Sequence, residues 1–224
     1  MQELSLIQTL AVMALPVILA VTVHEAAHAW LADRLGDPTA RSLGRVTFNP
    51  VPHIDLFGTV LLPLGMYTLS SLAGGVGFLF GYAKPVPVVV SRLRRPRRDM
   101  ALVALAGPMS NLLMAIAWAL LGGLAANLLQ EAPFVAQPLR YMAAFGILIN
   151  SFLMVLNLLP LLPLDGGRVL ASLLPVSIAA KYAKLEPWGL VILLALLFSG
   201  VLTPVIMPLL NGMQTILTAL ATAI

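Results

Sequence analysis

In a chain of 224 residues, 60% are hydrophobic and only 10% are charged, with a mean hydropathy of +0.97. A soluble globular domain carries about 25% charged residues, so this composition excludes an ordinary soluble fold. The absence of cysteine excludes disulfides and thiolate metal sites, and the net charge of +4 reads as basic residues on membrane-flanking loops, with no nucleic-acid partner.

The N-terminal MQELSLIQ has no basic leader region, and its apolar run continues into a first helix predicted from about Leu4 to Leu35. Gly36 and Asp37-Pro38 stop it, and a polar loop runs over 36–55. Leu56–Phe80 is apolar but broken by Pro63, Gly65, Gly74, Gly75 and Gly77. GYAKPVPVVVSRLRRPRRD then begins like a strand and ends as a basic loop. Met100–Leu129 and about Arg140–Leu162 are predicted helices. Trp188–Met207 is a further predicted span, interrupted near its end by Pro204 and Pro208, and Leu209–Ile224 is apolar but short for a span. The expectation is an all-α polytopic membrane protein with about 5–6 transmembrane helices. A membrane re-entrant loop or β element lies between the first two core helices. A single integral membrane domain covers 1–224, divided into a helix at 1–35, a cytoplasmic loop and re-entrant element at 36–99, helices at 100–129 and 140–165, and C-terminal helices at 188–224.

Basic residues concentrate on the cytoplasmic side of a membrane protein. If Leu56–Phe80 is re-entrant, 12 of the 13 lysines and arginines share one side and only Arg140 faces the other. If it crosses, the 13 split 9 to 4. Irregular backbone at membrane depth is tolerated where protein or water satisfies it. Both arguments favour the re-entrant form and put the C-terminal end of the first helix in the cytoplasm.

TVHEAAHAW at 22–30 places polar groups inside that helix. His24 and His28 are four apart, one turn along a single face, so both imidazoles can reach one metal ion while Glu25 points beside them toward a metal-bound water. With three histidines and nine acidic residues in the chain, this pattern arises by chance with a probability of about 0.002. A catalytic zinc needs a third protein ligand and an open position. Glu3, Asp33, Asp37, Asp55, Asp99, Glu131 and Glu186 fall at termini or in predicted loops, leaving Asp165 of NLLPLLPLDGGRVL as the acid at an apolar run. Gly166 and Gly167 allow either a tight turn or a close approach there. His24 lies about 15 Å from the cytoplasmic end of its helix. For Asp165 to reach it, the chain must cross the membrane an even number of times between the two motifs.

HEAAH at 24–28, GPMSN at 107–111 and NLLPLLPLDGG at 157–167 resemble the three signatures of the site-2 proteases, a family of intramembrane zinc metalloproteases. RVTFNPVPHID at 45–55 and FGYAKPVPV at 80–88 resemble a short subgroup without PDZ or CBS domains, although Leu56 stands where that subgroup has proline. The resemblance implies one Zn2+ per chain held by His24, His28 and Asp165, with Glu25 as the catalytic base. It implies a transmembrane helix of another membrane protein as substrate, and a multi-pass location with the active site toward the cytoplasmic side, by expectation of a prokaryotic plasma membrane.

It also implies that Tyr82, Ala83, Lys84, Pro85 and Val86 pair with an unwound substrate. A strand edge can do so by β-augmentation, although the prolines fit a plain exit loop equally well. Asn157 either binds a substrate carbonyl or bonds a neighbouring helix, and the resemblance favours the former. Asn111 is a second substrate-binding candidate, with Gly107 and Pro108 serving close packing. His53 reads as structural or gating, and Arg92–Arg98 as an anchor at anionic lipid headgroups. The competing classes are a metal-ion transporter using the same His/His/Asp site and an inactive membrane scaffold. A transporter would not need Glu25.

Overall fold

The computed structural model describes residues 6–55, 84–128 and 131–223, together with 58, 61 and 65. Helix α1, Leu6–Arg34, matches the first predicted helix. Ala20, Ala26, Ala29 and Ala32 on it are buried, and these small side chains let neighbouring helix backbones approach. Gly36, with φ of 114°, ends the helix in the left-handed conformation that glycine adopts without penalty. The Asp37 N–H then reaches back to the Ala32 carbonyl (2.9 Å) and the Gly36 N–H to Asp33 (3.2 Å), closing the C-terminus. The short helix α2, Thr39–Ser42, follows.

Helix α3 spans Pro96–Asn127, starting four residues earlier than predicted. Pro96 occupies a first-turn position where its missing N–H costs nothing. Asp99, expected in a loop, instead accepts the Arg95 N–H at 2.7 Å and caps the start. Helix α4, Pro133–Asn157, likewise begins at a proline inside the segment expected to be a loop, and ends ahead of Pro160. The α3–α4 pair is the most extensive helix packing among the described residues. Its crossing depends on Gly146, where an added Cβ would lie 2.2 Å from Trp118 Cγ.

The Arg94 N–H donates to the Leu35 carbonyl at 3.0 Å, so the chain leaves α1 and enters α3 at the same end of the bundle. The predicted re-entrant stretch Leu56–Phe80 lies outside the described residues apart from 58, 61 and 65. Of the expected strand, Lys84–Val89 is described. It belongs to no ladder, and the described residues contain no strand. Prolines 85 and 87 remove alternate N–H donors, which explains why no ladder forms.

Past α4 the chain turns through 158–164 into α5, Asp165–Leu173, and α6, Val176–Ala183. The predicted span Trp188–Met207 is corrected to two helices. Helix α7, Gly189–Phe198, has ten residues and stops before Gly200, whose φ is 74°. Helix α8 is Thr203–Thr222. Pro204 stands in the first turn of α8, where it starts the helix, and the short segment from Leu209 belongs to this 20-residue helix. Val155 and Leu156 of α4 pack with Leu193, Ile206 and Leu210, while Leu217 meets Ala115 and Ala119 of α3. Among the described residues α1, α3, α4 and α8 are long and apolar enough to cross a membrane.

Candidate active site

The two imidazoles and the one carboxylate picked out from the sequence as ligands meet. His24 Nε2 and His28 Nε2 are 3.1 Å apart, and Asp165 Oδ2 lies 3.2 Å from the first and 3.3 Å from the second. All three residues are nine-tenths or more buried. His28 Nδ1 donates to the Val103 carbonyl at 2.7 Å. A carbonyl only accepts, so this nitrogen carries the hydrogen and His28 Nε2 presents a lone pair to Asp165. His24 Nδ1 lies 2.7 Å from Asn111 Oδ1.

Among the described residues, Asp165 Oδ2 is buried without a hydrogen-bond partner, facing only the two Nε2 atoms. Buried acceptors facing one another with no proton between them are costly. A cation among them removes the conflict. Ligands about 2.0–2.2 Å from a tetrahedral zinc stand about 3.3–3.5 Å apart, close to the three separations here. The donor set fits zinc. Among the described residues, these three form the group able to hold a metal ion.

Asp165 opens α5, and the two glycines after it have ordinary negative φ. They serve close approach and not a turn. A Cβ on Gly166 would sit 2.3 Å from the Leu158 carbonyl oxygen, and one on Gly167 would be 2.5 Å from Leu161 C. The first turn of α5 is thereby tucked under the 158–162 loop. Gly107 does the same job from α3. A Cβ there would lie 2.3 Å from His28 Nε2 and 2.5 Å from His24 Cε1.

Glu25 stands apart from the metal donors, and its Oε2 accepts the Val86 N–H at 2.9 Å. The segment bearing Val86 is fixed along its length. Lys84 N–H donates to the His53 carbonyl (2.9 Å), Arg45 to the Pro85 carbonyl (2.8 Å), and Val89 N–H to Asp37 (2.6 Å). Lys84 and Pro85 are exposed and Val86 is buried. Tyr82 and Ala83 lie outside the described residues.

Asp37 was dismissed from the sequence as a loop acid, yet it is fully buried and also receives the Thr39 N–H and hydroxyl. Burial pushes its carboxyl up, but the donors from Thr39 and Val89, with Arg92 nearby, outweigh burial and hold it below its ordinary value. The contact that reveals it spans 52 positions, and only the Asp-Pro-Thr turn chemistry signals it locally.

Asn111 is fully buried, its NH2 donating to the Ala20 carbonyl (3.1 Å) and Asn150 Oδ1 (2.9 Å). Asn157 ends α4 half-buried, its NH2 bonded to the Leu153 carbonyl of its own helix at 3.0 Å. His53 is buried with Nε2 facing the Thr47 carbonyl at 3.2 Å, and it is not part of the metal group. Of the basic run, Arg92 donates to Thr39 and Arg97 to the Ser172 and Leu174 carbonyls, so it fastens α2 and α5 to the start of α3 as well as facing outward.

Residues 12–134 and 125–200 match the profile of Peptidase family M50. The chain is 36% identical over 208 residues to a Bacillus subtilis (strain 168) protein named "Putative zinc metalloprotease YwhC", covering 92% of this chain and 89% of that one. It is 31% identical over 189 residues to a Mycolicibacterium smegmatis protein of the same description named Rip2, covering 83% of this chain and 66% of the relative. The Rip2 of Mycobacterium tuberculosis (strain H37Rv) is 31% identical over 199 residues, at 87% and 66% coverage. No solved structure gives a significant match. With the family profile covering most of its length and a buried His/His/Asp group between apolar helices, the chain belongs to Peptidase family M50, the site-2 proteases, and is an integral membrane zinc metalloprotease.

Proposed function

We propose that this protease cuts peptide bonds inside transmembrane segments of other membrane proteins, with His24, His28 and Asp165 holding one zinc and Glu25 acting as the base. The observation that carries the reading is the convergence of two buried imidazole nitrogens, from a helix long enough to cross the membrane, on the buried Asp165 Oδ2. Zinc bound there supplies a Lewis acid and an acidified water. Glu25 keeps one carboxylate oxygen on the Val86 N–H and has the other for the proton of the attacking water. It then returns that proton to the leaving amine. The Val86 bond fixes the carboxylate's direction, so the base does not have to be ordered when substrate arrives.

A transmembrane helix must be unwound before its carbonyls can be attacked. Tyr82–Val86 receives that stretch, and Asn157, with its second amide hydrogen, donates to a substrate carbonyl. Asn111 is fully buried against His24, which suits orienting that ring better than touching substrate. The basic residues gathered where α1 ends and α3 begins support a cytoplasm-facing active site, with anionic headgroups as partners of Arg92–Arg98.

The test is Glu25→Gln in the reconstituted protein, with cleavage positions mapped by mass spectrometry on substrates carrying single transmembrane helices. Proteolysis should vanish while zinc stays at one per chain. Persistent cleavage refutes Glu25 as base, and cuts confined to segments outside the bilayer refute intramembrane proteolysis.

A further inference from the structure

We infer that Asn150, on α4 and out of reach of the metal, is a positioning residue that sets which nitrogen of His24 carries the hydrogen, and so keeps the Nε2 lone pair free for the zinc, acting through the amide of Asn111. The inference rests on the metal-centre reading above and adds a residue to it. Three side chains form one buried chain of hydrogen bonds whose polarity is set by two backbone carbonyls, Gly146 at its far end and Ala20 beside Asn111.

The Gly146 carbonyl lies 2.8 Å from the amide of Asn150. A carbonyl can only accept, so the Asn150 NH2 faces it and the Asn150 oxygen faces Asn111 at 2.9 Å. Asn111 must therefore turn its own NH2 toward Asn150. The same NH2 meets the Ala20 carbonyl at 3.1 Å. Only the Asn111 oxygen is left for His24 Nδ1, 2.7 Å away. That nitrogen then has to carry the hydrogen, and Nε2 is left with the lone pair that faces Asp165 and His28.

If Asn111 turned over, its NH2 would meet Nδ1 and drive the hydrogen onto Nε2. A proton would then point at Asp165, where the ion belongs. With Asn150 in place, the reversal sets the Asn111 oxygen against both the Asn150 oxygen and the Ala20 carbonyl. Without it, only the Ala20 contact opposes reversal. His28 needs no such device, because a backbone carbonyl, Val103, faces its Nδ1 directly. Both asparagines are fully buried, so water cannot take over the role. Partners one bond beyond a metal ligand typically change metal affinity about 10–100-fold when replaced. Asn150 stands one step further out, so the expected loss is about tenfold.

The test measures zinc affinity by chelator competition, with the visible spectrum of the cobalt-substituted protein as second readout, on the full chain in detergent. Asn150→Leu is compared in two backgrounds, the wild type and Asn111→Asp. A carboxylate has no wrong way round, so Asp at 111 accepts from His24 Nδ1 whatever stands at 150. Asn150→Leu should weaken zinc binding about tenfold and change the cobalt spectrum in the first background. In the second, where it removes the conflict between the carboxylate placed at 111 and the Asn150 oxygen, it should cause no loss. Equal losses in both backgrounds, or no loss in the first, would make Asn150 a packing residue and overturn the inference. If Asn150→Leu does not fold, the smaller Asn150→Ala carries the same comparison. A wild-type chain that takes up no zinc would overturn the metal-centre reading itself, which separates that failure from this one.

Discussion

Gly107→Ala drives a methyl group directly into both histidines of the site. The new Cβ would lie 2.3 Å from His28 Nε2, 2.6 Å from His28 Cε1 and 2.5 Å from His24 Cε1. Carbon atoms sit comfortably at about 3.5 Å or more from such neighbours, so α3 and the two rings must separate by about 1 Å. The rings cannot simply swing aside, because Asn111 and Val103 hold their Nδ1 atoms at 2.7 Å from the same helix that carries the new methyl. Moving α3 away lengthens those bonds, and rotating the rings turns Nε2 from Asp165. A metal site tolerates errors of about 0.2 Å in its ligand distances. The expected result is loss of zinc affinity by about 100-fold or more, with about 1–3 kcal/mol of overpacking cost to the fold. Zinc per chain by elemental analysis and affinity by chelator competition would read it. Gly212→Ala on α8 serves as control, since nothing lies within 4 Å of its Cβ position, and the change should gain about 0.5–1 kcal/mol of helix stability. Full zinc binding within threefold of wild type in Gly107→Ala would refute the close approach of α3 to the ligands.

Other expectations follow from the segment that borders Glu25 and from the charge pattern. Val86→Pro removes the N–H given to Glu25 and should cut turnover about tenfold or more with zinc retained, whereas Val86→Ala keeps the N–H and should cost far less. Equal losses would show that the bond does not matter. Asp37 has a folded value below its ordinary one, so it stabilises at neutral pH and that support disappears as pH falls through and below about 4. Asp37→Asn should therefore lower stability by about 1–3 kcal/mol at pH 7 and by less at pH 3, read by thermal unfolding in detergent. An unchanged difference would sink the argument. Because the chain has no cysteine, single cysteines report topology without background. Gln137→Cys should react with an impermeant maleimide on intact cells and Arg94→Cys only after lysis, and the reverse order would invert the proposed orientation.

His24 and His28 were legible because helical spacing alone puts them on one face, and Asp165 because acids at apolar runs are so scarce in this sequence that elimination finds it. The roles of Gly107 and Asn111 were not legible. Close packing was the expectation for the glycine, but only tertiary structure shows that the surface it approaches is the ligand pair. Asn150 sits four residues after Gly146 in an apolar helix, and nothing in GILINSF distinguishes a relay from a bond between helices. Helix limits were misread at Pro96, Pro133 and Pro204 for one reason. A proline that looks like a breaker is equally at home in the first turn, and the choice depends on which side of it the packing continues. The break at Gly200 was missed because no charged residue or proline stands between Gly189 and Thr203 to mark it.

The separation of the metal donors along the chain has a consequence for biosynthesis. His24 and His28 are made first, while Asp165 follows only after more than half of the chain has been synthesised and α3 and α4 have been laid beside α1. A nascent chain inserted as far as α3 already has Val103 and Asn111 to orient the imidazoles, but no acid to complete the ion's cradle. On the proposed ligand set the metal site therefore stays incomplete until α5 has been made, with α6, α7 and α8 still to follow.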